Sequence, residues 1–269
     1  MRTGVSTASL FLRANNEDAL PILDRLGVKN VEVFLTSFSE YGSEFAEFLN
    51  TRKGSLSVNS VHDLNTEFEP QLFNAHPRVK ADAYAWLGKV MESAKTLGSP
   101  YYTFHGASRV KRSSRIPEND NFSRMIEGFD EVLRFCHGHG VQLCLETVEW
   151  STYNRPGVFK ALAEELPTLK GVLDIKQARI SEYPYEAYLE EMGERLAYAH
   201  VSDYGAHGMC LPGKGNFDFD TFVKRLKDVG FDGALIIEVY KDDYNEIEEL
   251  KHACDYLDEV LYKNNCLTR

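Results

Sequence analysis

With 269 residues, 43% of them hydrophobic and 26% charged, the chain has the composition of a folded globular protein rather than a disordered or fibrous one, and its length suits a single α/β barrel. The formal charge of −11, from 41 acidic against 30 basic residues, repels nucleic-acid backbones and anionic lipid surfaces. No run reaches the roughly 18 to 20 apolar residues of a membrane-spanning helix, and the opening MRTGVSTASLFLRANNED turns acidic before a signal-peptide core could form, so a cytoplasmic protein with no membrane or nucleic-acid partner is expected.

In chain order, short β-rich apolar runs alternate with segments of helical periodicity. TGVST (3–7) leads to the helical NEDALPILDRLG (16–27); VEVF (31–34) and LSVNSVH (56–62) follow, then a helix over 82–98. YYTFHG (101–106) precedes a helix over 123–140, and VQLCLE (141–146), KGVLDI (170–175) and LAYAHVS (196–202) come next. A helix over 219–230 and the run ALIIEV (234–239) complete the series. Several of the helical segments end in glycine, as helix C-termini often do.

Eight such units, with no Ser/Gly-rich linker and no shift in composition, predict one domain over 1–269, a single (β/α)8 barrel. A dinucleotide-binding sheet would want GxGxxG after its first strand, and the turn here, TGVSTASL, has a single glycine. The five cysteines are scattered and lack CxxC pairs, which suggests reduced, mostly buried thiols rather than disulfides or a thiolate zinc site.

Barrel enzymes carry their active sites at the C-terminal ends of the strands. In or beside the apolar runs stand Glu32, His62, His105, Glu146, Asp174, His200, Asp203 and Glu238, where unpaired charge is costly. Any one alone reads as an ordinary hydrogen-bonded residue. Together they are what a divalent cation needs, and two Glu, one Asp and one His form a hard, oxygen-rich set suited to Mn(II), Mg(II) or Co(II), with Zn(II) also open.

The segments LCLETVEW (143–150), LDIKQA (173–178), AHVSD (199–203), LPGKGNFDF (211–219) and IIEVY (236–240) resemble the xylose-isomerase-like barrels. That family includes sugar isomerases, ketose 3-epimerases, hydroxypyruvate isomerases, inosose dehydratases and endonuclease IV. The resemblance spans nearly the whole chain and implies one divalent metal held by Glu146, Asp174, His200 and Glu238. It further implies that His62 and His105 line the pocket and that the glycine-containing turn of LPGKGNFDF shapes the rim after strand 7, although glycine there also has a plain structural account, since turns need it. Trp150 reads either as an apolar wall for a sugar face or as core packing. Gln177 stands where many relatives place a histidine, and is grouped here with His62, His105 and Trp150 as substrate-binding. Where endonuclease IV uses an Asp-x-His pair for its zinc cluster, this chain has Gly208, Met209 and Cys210; Gln177 and Cys210 are therefore not expected to bind further metals.

A basic loop after His105 with Arg109, Lys111, Arg112 and Arg115, and Lys176 beside Asp174, could receive a phosphate or carboxylate, or be a solvated loop and a salt-bridge partner. The expected activity is isomerisation or epimerisation of a sugar or sugar derivative through a cis-enediolate, with Glu146 and Glu238 as acid and base. A dehydratase of a keto-polyol on the same barrel, an endonuclease IV-like hydrolase and a non-catalytic sugar-binding barrel are the alternatives. Substrate identity and homo-oligomer formation are not legible in the sequence.

Overall fold

Eight parallel strands run in chain order around a closed barrel: β1 (Arg2–Ser6), β2 (Asn30–Leu35), β3 (Ser57–Asp63), β4 (Tyr101–Phe104), β5 (Gln142–Glu146), β6 (Lys170–Asp174) and β7 (Leu196–Val201). A short antiparallel hairpin, β8 (Asp203–Gly205) and β9 (Gly208–Cys210), intervenes before β10 (Ala234–Ile237), which pairs with β7 on one side and with β1 on the other. This computed structural model describes residues 1–64, 66–107 and 120–267, and the architecture is the expected (β/α)8 barrel. The basic loop with Arg109, Lys111, Arg112 and Arg115 lies outside the described residues.

The helices between the strands are α1 (Asn16–Arg25), α2 (Ser43–Arg52), α3 (Pro77–Leu97), α4 (Asp120–Gly138), α5 (Val158–Glu165), α6 (Ile175–Ile180), α7 (Tyr185–Met192), α8 (Phe219–Asp228) and α9 (Glu249–Lys263). The four helical segments read from periodicity correspond to α1, α3, α4 and α8. Gly98 closes α3 with φ +72°, the left-handed cap that only glycine adopts without strain. A 3-10 segment, Thr66–Phe73, bridges β3 to α3.

The side-chain alternation of the strands is what builds the site. Cys144, Val172, Tyr198 and Ile236 form an apolar layer inside the barrel. Their neighbours Leu145, Leu173, Ala199, Leu235 and Ile237 belong instead to the main core between strands and helices. One step further along each strand the side chain turns inward again, and there stand Glu146, Asp174, His200 and Glu238. Asp174 stands opposite His200, whereas Glu146 stands opposite Val172 and His200 opposite Ile236, so Glu146 and Asp174, like His200 and Glu238, are offset by two residues on neighbouring strands, the stagger that closes a tilted barrel.

Candidate active site

Glu146 and Asp174 end β5 and β6, His200 is one residue short of the end of β7, and Glu238 directly follows β10. These are four consecutive strands around the barrel. Each of the four side chains is buried and offers one ligand atom, and the four atoms lie within 4.8 Å of one another. Because the strands are neighbours, local sheet geometry brings the groups together without any long loop.

The donor chemistry fits a divalent cation. His200 Nδ1 lies 2.6 Å from Glu146 Oε1 and 2.7 Å from Glu238 Oε2, yet Glu238 Oε2 is buried with no hydrogen-bond donor aimed at it. Burial, opposed by the pull of Lys176 and joined by the charges of Glu146 and Glu238, pushes the Asp174 carboxyl up to about 6. Burial lowers the His200 imidazole, but the charges of Glu32, Glu238 and Glu146 overcome it and leave His200 well above its ordinary value. Glu146 and Glu238 are both held below the usual carboxylate range: burial raises them and the His200 charge more than offsets it. Three carboxylates around one imidazole are thus an arrangement that a positive ion would relieve.

Glu32 sits below this level. It lies in the middle of β2 rather than at the rim, fully buried, and accepts hydrogen bonds from Ser6, Ser60 and Thr103 at 3.0, 2.8 and 2.8 Å. His200 Nε2 stands 3.1 Å from its Oε2. A carboxylate on the far nitrogen fixes the imidazole so that Nδ1 faces the carboxylate cluster. The polar run-end residues expected on the rim therefore include one that supports the site from inside the barrel. The reason is length: β2 continues for three residues beyond Glu32.

His62 and His105 face each other, Nε2 to Nε2, at 3.0 Å, and His105 Nε2 is 3.3 Å from Glu146 Oε2. His62, His105 and Glu146 form a second set of clustered donors that shares Glu146 with the first. A cavity of about 530 Å³, within the usual range for small-molecule sites, is lined by His62, His105, Glu146, Asp174, Gln177 and Glu238 among others. Trp150 is 49% exposed, lines the same cavity and stacks on His105 with ring centroids 5.1 Å apart, which makes it a wall of the mouth and not core packing. Gln177 Oε1 accepts a hydrogen bond from the backbone N–H of Glu149 at 3.3 Å. Lys176 is buried in the wall of the same cavity, with its Nζ 3.7 Å from Asp174 Oδ2 and 4.5 Å from the centre of the Tyr240 ring.

Asp203 does not join them. Its carboxylate accepts backbone N–H bonds from Tyr204, Gly213, Gly215 and Phe217 at 2.7, 3.0, 3.0 and 2.8 Å, so it organises the chain between β7 and α8. At Gly215 an added Cβ would collide with Asp203 Oδ1 and the Tyr204 carbonyl oxygen, which explains a glycine in LPGKGNFDF without any site role. No described residue of that turn lines the main cavity; Asn216 and Phe217 line a separate one of about 450 Å³ with Arg179 and Tyr204. Of the two accounts of the turn, these contacts support the structural one.

Sequence reasoning missed Glu69, Tyr102 and Asp63, all buried behind His105. Glu69 Oε2 accepts the His105 backbone N–H at 3.0 Å and lies 3.2 Å from its ring Nδ1. Asp63 directly follows the strand-end His62 and could have been found from that position; Glu69 lies in a 3-10 segment with no periodic signal.

Residues 20–260 match the xylose isomerase-like TIM barrel family. The chain is 22% identical over 227 residues to D-psicose 3-epimerase of Agrobacterium fabrum, covering 80% of this chain and 76% of that protein. It is 24% identical over 241 residues to inosose dehydratase of Erwinia tasmaniensis, covering 82% and 73%. The structure of D-psicose 3-epimerase from Clostridium cellulolyticum superposes with a TM-score of 0.77 at 17% identity, covering 97% of this chain and 99% of that one. With the family matched over most of its length on a closed eight-stranded barrel, the chain belongs to the xylose isomerase-like TIM barrels.

Proposed function

We propose that this protein is a divalent-metal-dependent epimerase or isomerase of a ketose or ketose derivative, with Mn(II) the preferred ion. The observation that carries the reading is the convergence of Glu146, Asp174, His200 and Glu238, all buried and each with one ligand atom within 4.8 Å of the others, where the three carboxylates line a substrate-sized cavity. Asp174 and His200 hold the cation together with the two glutamates. Bound there, a hard cation supplies Lewis acidity to carbonyl and hydroxyl oxygens.

The residues of the chain do the rest. Glu146 and Glu238 come from strands separated in the barrel by β6 and β7, so they can address a bound sugar from two directions. Both are held ionised, with burial opposed by the His200 charge, and each can therefore act as a base near neutral pH. One glutamate takes the proton from the carbon next to the carbonyl; the other, ionised at rest, takes up a proton from solvent and delivers it to carbon, and the first releases its own to solvent, so that both end ionised again. Delivery to the same carbon from the opposite face gives the epimer, and delivery to the neighbouring carbon interconverts aldose and ketose. His62, His105 and Gln177 meet the sugar hydroxyls, and Trp150 covers an apolar face of the ring or chain. The similarity to D-psicose 3-epimerase favours epimerisation.

The similarity to inosose dehydratase favours a second reading, in which the same proton abstraction is followed by loss of a neighbouring hydroxyl group. Half-reactions distinguish the two. In Glu146→Gln and Glu238→Gln, deuterium exchange from one epimer should be abolished while some exchange from the other survives, in a different epimer for each variant. Equal residual exchange from both epimers with metal still bound would remove the two-glutamate mechanism. Accumulation of a dehydrated product would transfer the assignment to a lyase. Metal analysis supplies the third arm: one ion per chain is expected, and two or more would shift the reading toward hydrolysis at a multinuclear centre that includes His62 and His105.

A further inference from the structure

Behind His105 lies a group of buried polar side chains that the proposed reaction does not use. Tyr102 Oη stands 2.6 Å from Asp63 Oδ2 and 2.8 Å from Glu69 Oε1, and all three residues are at most 1% exposed. Both separations are hydrogen bonds. A phenol has one hydrogen, so it can donate to only one of the two carboxyl groups. The other short oxygen–oxygen contact needs a second proton, and that proton must sit on a carboxyl oxygen.

The surroundings decide which one. Glu69 Oε2 already faces two N–H groups of His105, the backbone N–H at 3.0 Å and ring Nδ1 at 3.2 Å, and donors aimed at a carboxyl group favour its charged form. Asp63 has no N–H group aimed at it: its Oδ1 is buried without a well-formed hydrogen bond, and the group that faces its carboxyl besides Tyr102 is another phenol, the Tyr41 hydroxyl, a setting that disfavours charge more than that of Glu69 does. The proton belongs to Asp63. The bonds then all run toward Glu69: the Asp63 carboxyl donates to Tyr102, Tyr102 donates to Glu69, and from the other side Glu69 receives the Nδ1–H of His105.

We propose that Glu69 is a positioning residue: as the end of a one-way hydrogen-bond chain from a protonated Asp63 through Tyr102, it anchors the Nδ1–H of His105 and keeps Nε2 turned into the cavity. The geometry at the other end agrees, since Nε2 is the atom that meets His62 at 3.0 Å, while Trp150 stacks on the ring from the mouth side. The inference rests on the reading above only in taking His105 Nε2 as an atom offered to the substrate. A neutral carboxyl at the start of the chain also removes the repulsion that two buried carboxylates on one hydroxyl would suffer.

The test needs no turnover. In the full-length protein with Mg(II) and no substrate, histidine labelled with ¹⁵N should show a protonated Nδ1 for His105, identified by its loss in His105→Asn. Glu69→Leu should abolish that Nδ1–H signal. Glu69→Gln, whose amide oxygen can still accept, should restore it. Difference infrared spectra of the wild type and Asp63→Asn should show a protonated-carboxyl C=O stretch that the variant lacks, and the variant should keep the Nδ1–H signal because its amide N–H can donate to Tyr102 in place of the acid.

Where the variants are active, kcat in Glu69→Leu should fall by about 10-fold or more, by analogy with other carboxylates that orient an active-site imidazole, and recover in Glu69→Gln. An unprotonated Nδ1 in the wild type, or a signal that survives Glu69→Leu, would overturn the positioning role. An unchanged carboxyl stretch in Asp63→Asn would overturn the chain's direction. The wild-type measurement stands even if Glu69→Leu fails to fold. Expected spectra without turnover of any sugar would leave the chain in place and remove the epimerase reading; turnover with an Nδ1–H signal indifferent to Glu69 would do the reverse.

Discussion

His200 illustrates how one residue acquires its role from several strands. Its Nδ1 meets Glu146 and Glu238 while Nε2 meets Glu32, so the ring is oriented from below and presented to the carboxylate cluster from above. Glu32→Gln keeps the shape but removes the charge that holds Nε2–H; we expect divalent-metal affinity to fall by about 10- to 100-fold, measurable by calorimetric titration with Mn(II), and an unchanged affinity would assign Glu32 to packing alone. Asp63 makes a separate prediction. Burial pushes its carboxyl from 3.8 up to about 7, with the Glu69 charge adding to the rise and the Tyr102 hydrogen bond opposing it. Between those values the folded chain keeps a proton that the unfolded chain has lost, so this group's contribution to stability declines as pH rises from about 4 to about 7 and is flat beyond. Asp63→Asn carries no titrating group there. Urea unfolding midpoints at about pH 5 and pH 8 should therefore fall more for the wild type than for the variant, and parallel behaviour would contradict the assignment.

At the scale of elements, the strands were legible because their apolar runs are short, β-rich and bounded by turns, and because the polar residues that interrupt them recur at strand ends. The period of two does the positioning: Leu145, Leu173, Ala199 and Ile237 face the helices, so Glu146, Asp174, His200 and Glu238 face the barrel axis. Sequence could not distinguish a residue that ends a strand inside the cavity from one that turns into the following loop, and Asp203 is the case in point. It follows β7 as closely as its neighbours do, yet four backbone N–H groups engage its carboxylate. Glu69 was illegible for the opposite reason, since its role depends on where a 3-10 segment falls and no local pattern fixes that. Asp203→Ala leaves those N–H groups without their acceptor and should cost about 2 kcal/mol of unfolding free energy, while exchange activity at saturating substrate falls far less than in Glu238→Gln. A loss of activity as large as that of Glu238→Gln, without a loss of stability, would place Asp203 in the catalytic set.

For the molecule as a whole, the barrel concentrates buried charge at one end and apolar packing at the other, and a cation should bind the folded chain and not the unfolded one. Saturation at about 100 times Kd should therefore stabilise the fold by about 2.7 kcal/mol, seen as a fall in Tm when the metal is removed by a chelator and a recovery when Mn(II) is restored; a Tm indifferent to both would mean that the four side chains hold no ion. The central claim is that this metal-dependent cluster moves a proton on the carbon next to a sugar carbonyl. Incubation of the Mn(II)-loaded protein with ketoses, keto-inositols and their phosphates in deuterated water, followed by removal of the metal and NMR of the sugars, tests it directly. At least one substrate should gain a single deuterium at the carbon adjacent to its carbonyl, with none gained after chelation. Fully metal-loaded protein that exchanges no proton on any of these substrates would contradict the account.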